Sequence, residues 1–277
     1  MVVGWKKGMR VKPTFLAFLA VLFALSATPS RAAEPVKNTY YYMVFSNPVP
    51  GTEAEYADWY QNRHQYDVAA VPGIVSVQRF VASDVQLRNG AKPKQKYVVI
   101  YKVVTDDLAT VMKEVNRRAT SGETYVCPCF DRNTAGGGIY KASGAPSFHT
   151  GAGNAQGDTY LHIVFNNAKP GTDDAFRVWY PGRHVPDMVA IPGFVRGQFS
   201  VLDEGTNRRK ENKKYMSLFT VVTNDIGKVA AAFHNAPKMK MDASFDPEAV
   251  EGYTYKAMEP EISSDGIRAM RAAAKGK

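Results

Sequence analysis

The chain has 277 residues, enough for one large domain or two of ordinary size. A content of 45% hydrophobic, 12% aromatic and 22% charged residues is typical of a globular protein. It excludes a disordered, collagen-like or disulfide-dense chain. The net charge of +9 is concentrated in residues 1–32, which hold basic side chains and no acidic one. The remainder has 30 basic and 26 acidic side chains, a balance too mild to predict nucleic-acid binding.

Residues 1–32 have the pattern of a secretory signal peptide. A basic stretch ends at Lys12, and an apolar run spans Phe15–Leu25. Ser30 and Ala32 place small side chains at the two positions that a signal peptidase inspects, which predicts cleavage after Ala32. The apolar run is too short to cross about 30 Å of hydrocarbon. We therefore predict a periplasmic or secreted mature protein, with no stable membrane insertion after signal cleavage.

The rest of the chain contains an internal repeat. Residues 40–73 align with residues 160–193 at a constant offset of 120, and 15 of the 34 positions are identical. Two later stretches repeat at offsets of 118 and 115, so a unit of about 105 residues is duplicated in tandem. We predict a first unit at 38–143, a flexible linker at 144–158, a second unit at 159–258 and a basic C-terminal tail at 259–277.

Each unit is predicted to contain four strands and two helices in the order βαββαβ. In the first unit, runs of β-branched and aromatic residues predict strands at 40–45, 74–81, 97–104 and 139–142. Thr52, with Glu55 three residues later, predicts a capping box at the start of the first helix. Helical periodicity predicts a second helix at 107–119. This order is that of a ferredoxin-like unit, with both helices on one face of the sheet.

The identities of the repeat are concentrated around the end of the first helix. In the first copy they comprise Trp59-Tyr60-x-x-Arg63-His64, Asp67 and Pro72-Gly73, after an Asn-Pro-x-Pro-Gly-Thr entry. In the second copy they comprise Trp179-Tyr180-x-x-Arg183-His184, Asp187 and Pro192-Gly193. This pattern resembles the dimeric α+β barrel superfamily, and within it the EthD-like proteins.

The resemblance implies an α+β fold in which two ferredoxin-like units pack sheet to sheet as a barrel. Because both units lie in one chain, we expect a monomer with an internal pseudo-dimer. The superfamily includes cofactor-free monooxygenases, isomerases, cyclases, dehydratases and haem enzymes, so the fold alone narrows the chemistry only slightly.

Two histidines are the main candidates for catalysis, because histidine exchanges a proton near neutral pH without special tuning. The candidate clusters are Arg63, His64 and Asp67 in the first copy, and Arg183, His184 and Asp187 in the second. We expect the aspartates to orient the imidazoles and the arginines to bind a carboxylate or an enolate oxygen. The alternative is that each cluster only anchors its helix to the following loop.

A second set of residues could line a ligand pocket. The candidates are Tyr42, His162, Gln78, Gln198, Tyr97 and Tyr215 on the strands, and Trp59 and Trp179 on the helices. Alternation along the first strand of each unit suggests that the consistently apolar residues face the helices. Tyr42 and His162 are therefore expected to face the barrel interior. For the two tryptophans, packing of helix on sheet is the alternative.

The sequence offers little support for a metal or a cofactor. Cys127 and Cys129 form a single Cys-Pro-Cys, and two ligands cannot complete a zinc site; whether they pair stays open. The haem enzymes of the superfamily imply a helical histidine as a ligand, and His234 is the candidate. No Cys-x-x-Cys-His motif supports haem, so we predict that the protein uses no cofactor.

These residues favour an exported, cofactor-independent enzyme that acts on a small aromatic or carbonyl compound with histidine as the general base. Elimination (also on an acidic sugar), isomerisation, cyclisation and oxygenation of a stabilised carbanion all fit. The alternative is a non-catalytic barrel that binds a small ligand or has a structural role. The two differ in whether the histidines open into a cavity. If one half alone is active, His162 favours the second half.

Overall fold

The computed structural model describes residues 37–206 and 213–275, so the predicted signal peptide lies outside the described residues. Its first half contains the strands β1 (Asn38–Ser46), β2 (Ile74–Ala82), β3 (Tyr97–Thr105) and β4 (Gly136–Ala142). Its helices are α1 (Glu53–Trp59), a π-helical turn (Tyr60–His64), α2 (Gln65–Ala69) and α3 (Leu108–Ser121). The predicted βαββαβ order is confirmed.

The second half repeats this order of elements. A short strand β5 (Ser147–Phe148) and a 3₁₀ turn (Ala152–Asn154) precede it. Its elements are β6 (Asp158–Asn166), α4 (Asp173–Trp179), a π-helical turn (Tyr180–His184), α5 (Val185–Val189), β7 (Phe194–Leu202), β8 (Tyr215–Thr223), α6 (Ile226–Asn235), a 3₁₀ turn (Pro247–Ala249) and β9 (Glu251–Ala257). The chain continues into β10 (Ile262–Ser263) and α7 (Ser264–Lys275). No helix in the described ranges is long and apolar enough to cross a membrane.

The eight long strands close into one antiparallel barrel in the order β2-β3-β1-β4-β7-β8-β6-β9, and β9 pairs with β2. The two halves meet at two seams, where β4 pairs with β7 and β2 pairs with β9. The helices pack on the outside of the sheet. The chain is therefore an intramolecular version of a dimeric α+β barrel, as predicted.

The barrel interior is filled by a different face of the strands from the one predicted. The buried inner cluster includes Tyr41, Met43, Phe45, Phe80, Ile100, Leu161, Ile163, Leu202, Met216, Leu218 and Tyr255. Tyr42 packs in the layer between sheet and helices, and His162 contacts Phe233 of α6 there. The prediction that Tyr42 and His162 face the interior is therefore wrong. The interior of an eight-stranded barrel is just wide enough to be filled by side chains or to hold one small ligand, and here the most apolar face of the strands points inward.

Both first helices begin after a threonine, but the predicted capping box is wrong. The Thr52 hydroxyl donates to the carbonyl of Val49 at 2.7 Å, and Thr172 makes the equivalent bond in the second half. The hydroxyl therefore closes the preceding turn instead of capping the helix. By contrast, Asp107 and Asp225 cap α3 and α6 by accepting a bond from the amide three residues later.

A glycine with positive φ follows the first helical region in each half. Gly73 has a φ of 93°, and a Cβ there would lie 2.6 Å from Val111 Cγ2 of α3. Gly193 has a φ of 94°, and a Cβ there would lie 2.5 Å from Val229 Cγ2 of α6. Glycine therefore allows both the sharp turn and the close approach of the second helix.

The linker and the tail form more structure than their composition predicts. In the linker, β5 pairs with β7, and His149 Nδ1 lies 2.7 Å from the carbonyl oxygen of Val189. In the tail, β10 pairs with β2, and α7 places Ile267 in the core of the first half. Each half therefore ends in a segment that packs on the other half.

Candidate functional site

In both halves, the first helix widens into a π-helical turn that ends on a candidate histidine. The turns cover Tyr60–His64 and Tyr180–His184. A π-helical turn shifts the side chains that follow it relative to a regular α-helix, and such turns are frequent at functional sites. Pro181 lies at the start of the second turn, where it has no N–H to place in a helical bond.

A cavity of about 340 Å³ lies beside the second π-helical turn, between α6 and the strands β6 and β9. We call it the histidine cavity, because three histidines line it: His162, His184 and His234. Much of its remaining wall is apolar or aromatic and includes Tyr180, Met188, Phe219, Phe233, Met239 and Phe245. The volume and the lining suit a small, mostly apolar organic molecule.

His184 is 8% exposed and lies among aromatic rings. Its ring centroid is 4.6 Å from that of Tyr180, 5.3 Å from that of Trp179 and 6.3 Å from that of Phe245. Its Nδ1 is buried with no hydrogen-bond partner among the described residues. Burial lowers the pKa of His184 to about 4, although the charge of Asp187 opposes this shift. The imidazole is therefore neutral at neutral pH, and one of its ring nitrogens is not hydrogen-bonded by any described residue.

His162 is 2% exposed, and its Nδ1 lies 3.1 Å from Thr254 Oγ1. A Cβ at position 252 would lie 3.3 Å from His162 Cε1 and 3.5 Å from Nε2, so Gly252 leaves room for the imidazole. Burial lowers the pKa of His162 to about 4, and the positive charge of Arg88 lowers it further. The cavity thus holds a second neutral histidine.

One wall of the histidine cavity comes from the other half of the chain. Arg88 and Asn89, in the loop between β2 and β3, line it. The neighbouring Leu87 is fully buried in the core of the second half. The Leu87 amide donates to Thr254 Oγ1 at 3.2 Å, and His234 Nε2 bonds the Leu87 carbonyl at 2.8 Å. The first half therefore supplies a cation to the site of the second.

The residues considered for haem and metal binding are engaged elsewhere. Because His234 Nε2 bonds a backbone carbonyl, this nitrogen does not fit the role of an iron ligand. Cys127 and Cys129 form a disulfide, and Cys127 Sγ lies 3.2 Å from Glu55 Oε1. The three side chains are close enough to hold a metal ion, but the paired sulfurs are not thiolates.

His64 has a different environment from His184. Its ring packs on Trp59 at 4.3 Å, and its Nδ1 lies 3.2 Å from the carbonyl oxygen of Tyr125. Trp59 Nε1 donates to the same carbonyl at 3.0 Å. Burial lowers the pKa of His64 to about 4 as well. His64 therefore has the anchoring geometry that the sequence analysis gave as the alternative.

Large side chains fill the corresponding region of the first half. Tyr42 stacks on Tyr101 at 5.6 Å, at the positions where the second half has His162 and Phe219. Arg79 lies over the ring of Tyr60 at 5.1 Å and is 2% exposed. His64 itself is half-buried against Trp59 and Tyr60, whereas His184 is buried.

The aspartates of the two clusters pair with the arginines. Arg183 Nε donates to Asp187 Oδ2 at 2.9 Å, and Arg63 Nε lies 3.5 Å from Asp67 Oδ2. Both arginines are exposed, and neither lines the histidine cavity. Arg183 and Asp187 instead line an adjoining open groove. The cations that line the histidine cavity are Arg88 and Lys238, and neither stands out in the sequence as a site residue.

The other predicted ligand-binding residues are dispersed. Gln78 faces one end of the barrel, and Gln198 Nε2 donates to the Phe199 carbonyl at 2.8 Å. Tyr97 and Tyr215 stack beneath α1 and α4, and Trp179 packs on Tyr180. Of the eight residues predicted to bind a ligand, His162 alone lines the histidine cavity.

The comparisons agree with this architecture. No family model and no curated protein match the sequence. An anthrone oxidase-like protein of known structure has a TM-score of 0.52 and 12% identity, covering 82% of this chain and 94% of its own. A monooxygenase candidate from Fusobacterium nucleatum has a TM-score of 0.49 and 9% identity, over 81% of this chain and 94% of its own. The similarity to the anthrone oxidase-like protein shows a shared fold and nothing beyond it.

Proposed function

We propose that the histidine cavity is the active site of an exported, cofactor-independent enzyme that acts on a small aromatic or carbonyl compound. One observation carries this proposal: His184 lines an aromatic cavity and keeps a ring nitrogen that no described residue hydrogen-bonds, while Nδ1 of His64 at the equivalent position bonds the Tyr125 carbonyl. We further propose that the chain is an EthD-like protein that arose by tandem duplication and retains one active half.

In this proposal, His184 is the general base. A neutral imidazole can remove a proton from a C–H group that a carbonyl activates. The negative charge then develops on the carbonyl oxygen, and it raises the pKa of the imidazole that has taken the proton. Burial raises the pKa of Tyr180 to about 12, so its hydroxyl stays protonated and can donate to that oxygen. Arg88 supports the same charge from the loop.

Oxygenation of a stabilised carbanion is the reaction to test first. Anthrone is a suitable probe because its methylene group lies opposite a ketone and between two rings. Loss of a proton gives a delocalised carbanion that can react with O₂ to give anthraquinone and water without a cofactor. The flat, apolar rings match the phenylalanines of the cavity, and the ketone matches Tyr180.

The experiment compares anthrone oxidation by the wild-type protein, His184→Gln and His64→Gln. A general base contributes about 10²–10⁴-fold. We expect His184→Gln to lose that factor in kcat, while His64→Gln stays within about twofold of the wild type. Anthraquinone absorbance and O₂ uptake measure the rate, and the spontaneous reaction is subtracted.

Equal losses in the two variants, or no rate above the spontaneous one, would contradict oxygenation at this site. Tight binding of anthrone without turnover would instead favour the alternative, a non-catalytic ligand-binding barrel. Mass spectrometry of small molecules that copurify with the protein would then identify a lyase, isomerase or cyclase substrate, or a carried ligand.

A further inference from the structure

A second cavity, of about 530 Å³, opens at one end of the barrel. We call it the barrel-end cavity. Phe80, Ile100, Leu161 and Leu218 form its apolar part, and Lys102 and Arg196 bring two cations to it. None of these residues lines the histidine cavity, so a ligand bound here would be independent of the proposed active site.

The two cations have no carboxylate partner among the described residues. Arg196 Nη2 donates to the Tyr41 hydroxyl at 3.2 Å and lies 3.5 Å from Gln198 Oε1, both of which are neutral. Lys102 forms no ion pair within the described ranges. Both residues are half-buried. Half-buried cations beside apolar walls attract an anion more strongly than cations in open solvent.

The duplication alone does not explain this pair of cations. Lys102 lies opposite Ser76 on the paired strands β3 and β2, and Arg196 lies opposite Thr220 on β7 and β8. In the repeat, Ser76 corresponds to Arg196, and Lys102 corresponds to Thr220. Each half therefore contributes one cation and one hydroxyl from non-equivalent positions, and the charge collects at the end of the barrel that both halves share.

One acidic residue, Glu261, also lines the barrel-end cavity. It lies just before β10 and accepts a hydrogen bond from the Ser76 hydroxyl. Together with Lys102 and Arg196 it leaves one net positive charge at the opening. A single excess charge suits a ligand with one negative charge better than a phosphate with two.

We propose that the barrel-end cavity binds an amphipathic monocarboxylate. The carboxylate lies between Lys102 and Arg196, where a guanidinium can bind both of its oxygens. The apolar body enters the barrel against Leu161 and Leu218. The cavity volume is in the range of small-ligand sites.

The test measures binding of octanoate to the mature chain by calorimetry, with 1-octanol as the uncharged control. The wild type binds octanoate at least tenfold more tightly than octanol. Lys102→Met and Arg196→Met each weaken octanoate binding at least tenfold and leave octanol binding unchanged. Glu261→Gln strengthens octanoate binding. Lys228→Met, which removes an exposed lysine of α6, is the matched control and has no effect.

Several results would overturn the proposal. Equally tight binding of octanol and octanoate would overturn it. So would octanoate binding that does not weaken as the salt concentration rises, because salt screens the attraction between a carboxylate and protein cations. Loss of octanoate binding in Arg88→Met, with Lys102→Met unaffected, would place the anion in the histidine cavity instead. The salt dependence of the wild type decides the question even if Arg196→Met fails to fold.

Discussion

The two halves share the order of their strands, a π-helical turn and a histidine at the end of that turn. The histidine cavity, however, is lined by His184 of the second half and not by His64 of the first. The second helix of each half explains part of this difference: α3 has 14 residues and α6 has 10. Pro237 follows the end of α6, and proline disfavours helix both at its own position and at the preceding one. Residues 236–239 and 241 then form one wall of the cavity without regular secondary structure.

Side-chain size explains the rest of the difference. Tyr42 and Tyr101 occupy the positions of His162 and Phe219, and Arg79 occupies the position of Phe199. One scaffold can therefore support two different surroundings for the same histidine. The choice depends on a helix end and a few side chains, not on the order of the elements.

The largest expected effect is on the stability of the first half. Arg79→Ala removes a buried cation that lies 3.8 Å from Glu259 and over Tyr60, and it leaves that carboxylate without its partner. We expect a loss of about 3–5 kcal/mol in the free energy of unfolding, measured in urea. Phe199→Ala, at the same position of the second half, should cost a similar amount through a cavity.

The two losses should differ in their dependence on Glu259. In a Glu259→Gln background, Arg79→Ala should cost less, because no charged partner is left behind, while Phe199→Ala should cost the same. Strict additivity of Arg79→Ala and Glu259→Gln would show that the pair is not coupled.

The next effect is a dependence of stability on pH. The folded-state pKa values of His162 and His184 are about 4, below the unfolded value of about 6.5, so the unfolded chain binds more protons between these limits. The free energy of unfolding should be highest above pH 6.5. It should fall as the pH drops towards 4, by up to about 3 kcal/mol for a fully buried histidine.

His162→Gln should flatten this profile, because it removes one of the buried titrating groups. Thermal melting between pH 4 and 7 provides the measurement. A slope in the variant equal to that of the wild type would show that His162 is already protonated, or already exposed, in the folded protein.

A smaller effect is expected from Pro237→Ala, which removes the residue that prevents extension of α6. The helix should lengthen towards the limits of α3, narrow the histidine cavity and weaken anthrone binding about tenfold, or about 1.4 kcal/mol. Circular dichroism should show added helix. Ala119→Pro, the reciprocal change in α3, should lower stability without affecting anthrone binding.

The exposed ion pairs should contribute still less. Arg183 and Asp187 are one helical turn apart at the surface, so Arg183→Ala should change the free energy of unfolding by less than about 1 kcal/mol. Activity should also change little, because Arg183 does not line the histidine cavity. A large loss of kcat in this variant would assign the adjoining groove a role in the reaction.

No effect is expected from dilution. Pairing of β2 with β9 and of β4 with β7 closes the barrel within one chain, which removes the main reason for dimer formation. We predict a monomer by light scattering at micromolar concentration and a melting temperature independent of protein concentration. A mass near twice that of the chain would contradict this prediction.

The repeat and the order of the elements could be predicted because hydrophobic periodicity and turn residues are local signals. Which face of β1 and β6 points into the barrel could not be predicted, because both faces of these strands carry tyrosine or other large residues. Deciding between them requires knowing which buried layer of the folded protein each face packs into. Tyr42 and His162 show this limit directly.

Half of the candidate site could be predicted in the same way. His184 and His162 stand out by their chemistry, and Pro237 is a visible signal for the end of a helix. Arg88 could not be found, because it lies far from both histidines in sequence and reaches them only when the two halves pack together. The contact of His64 with the Tyr125 carbonyl could not be found either, because the two residues lie 61 positions apart in the sequence.

The exchange of terminal segments between the halves has a consequence for protein engineering. A break within residues 151–157 would leave β5 on the first fragment, where it pairs with β7 of the second fragment. The second fragment would keep β10, which pairs with β2, and α7, which packs on the core of the first fragment. Each of two separately expressed fragments would therefore pack a terminal segment on the other. The chain is suited to fragment complementation, in which assembly of the two fragments reports that the proteins fused to them interact.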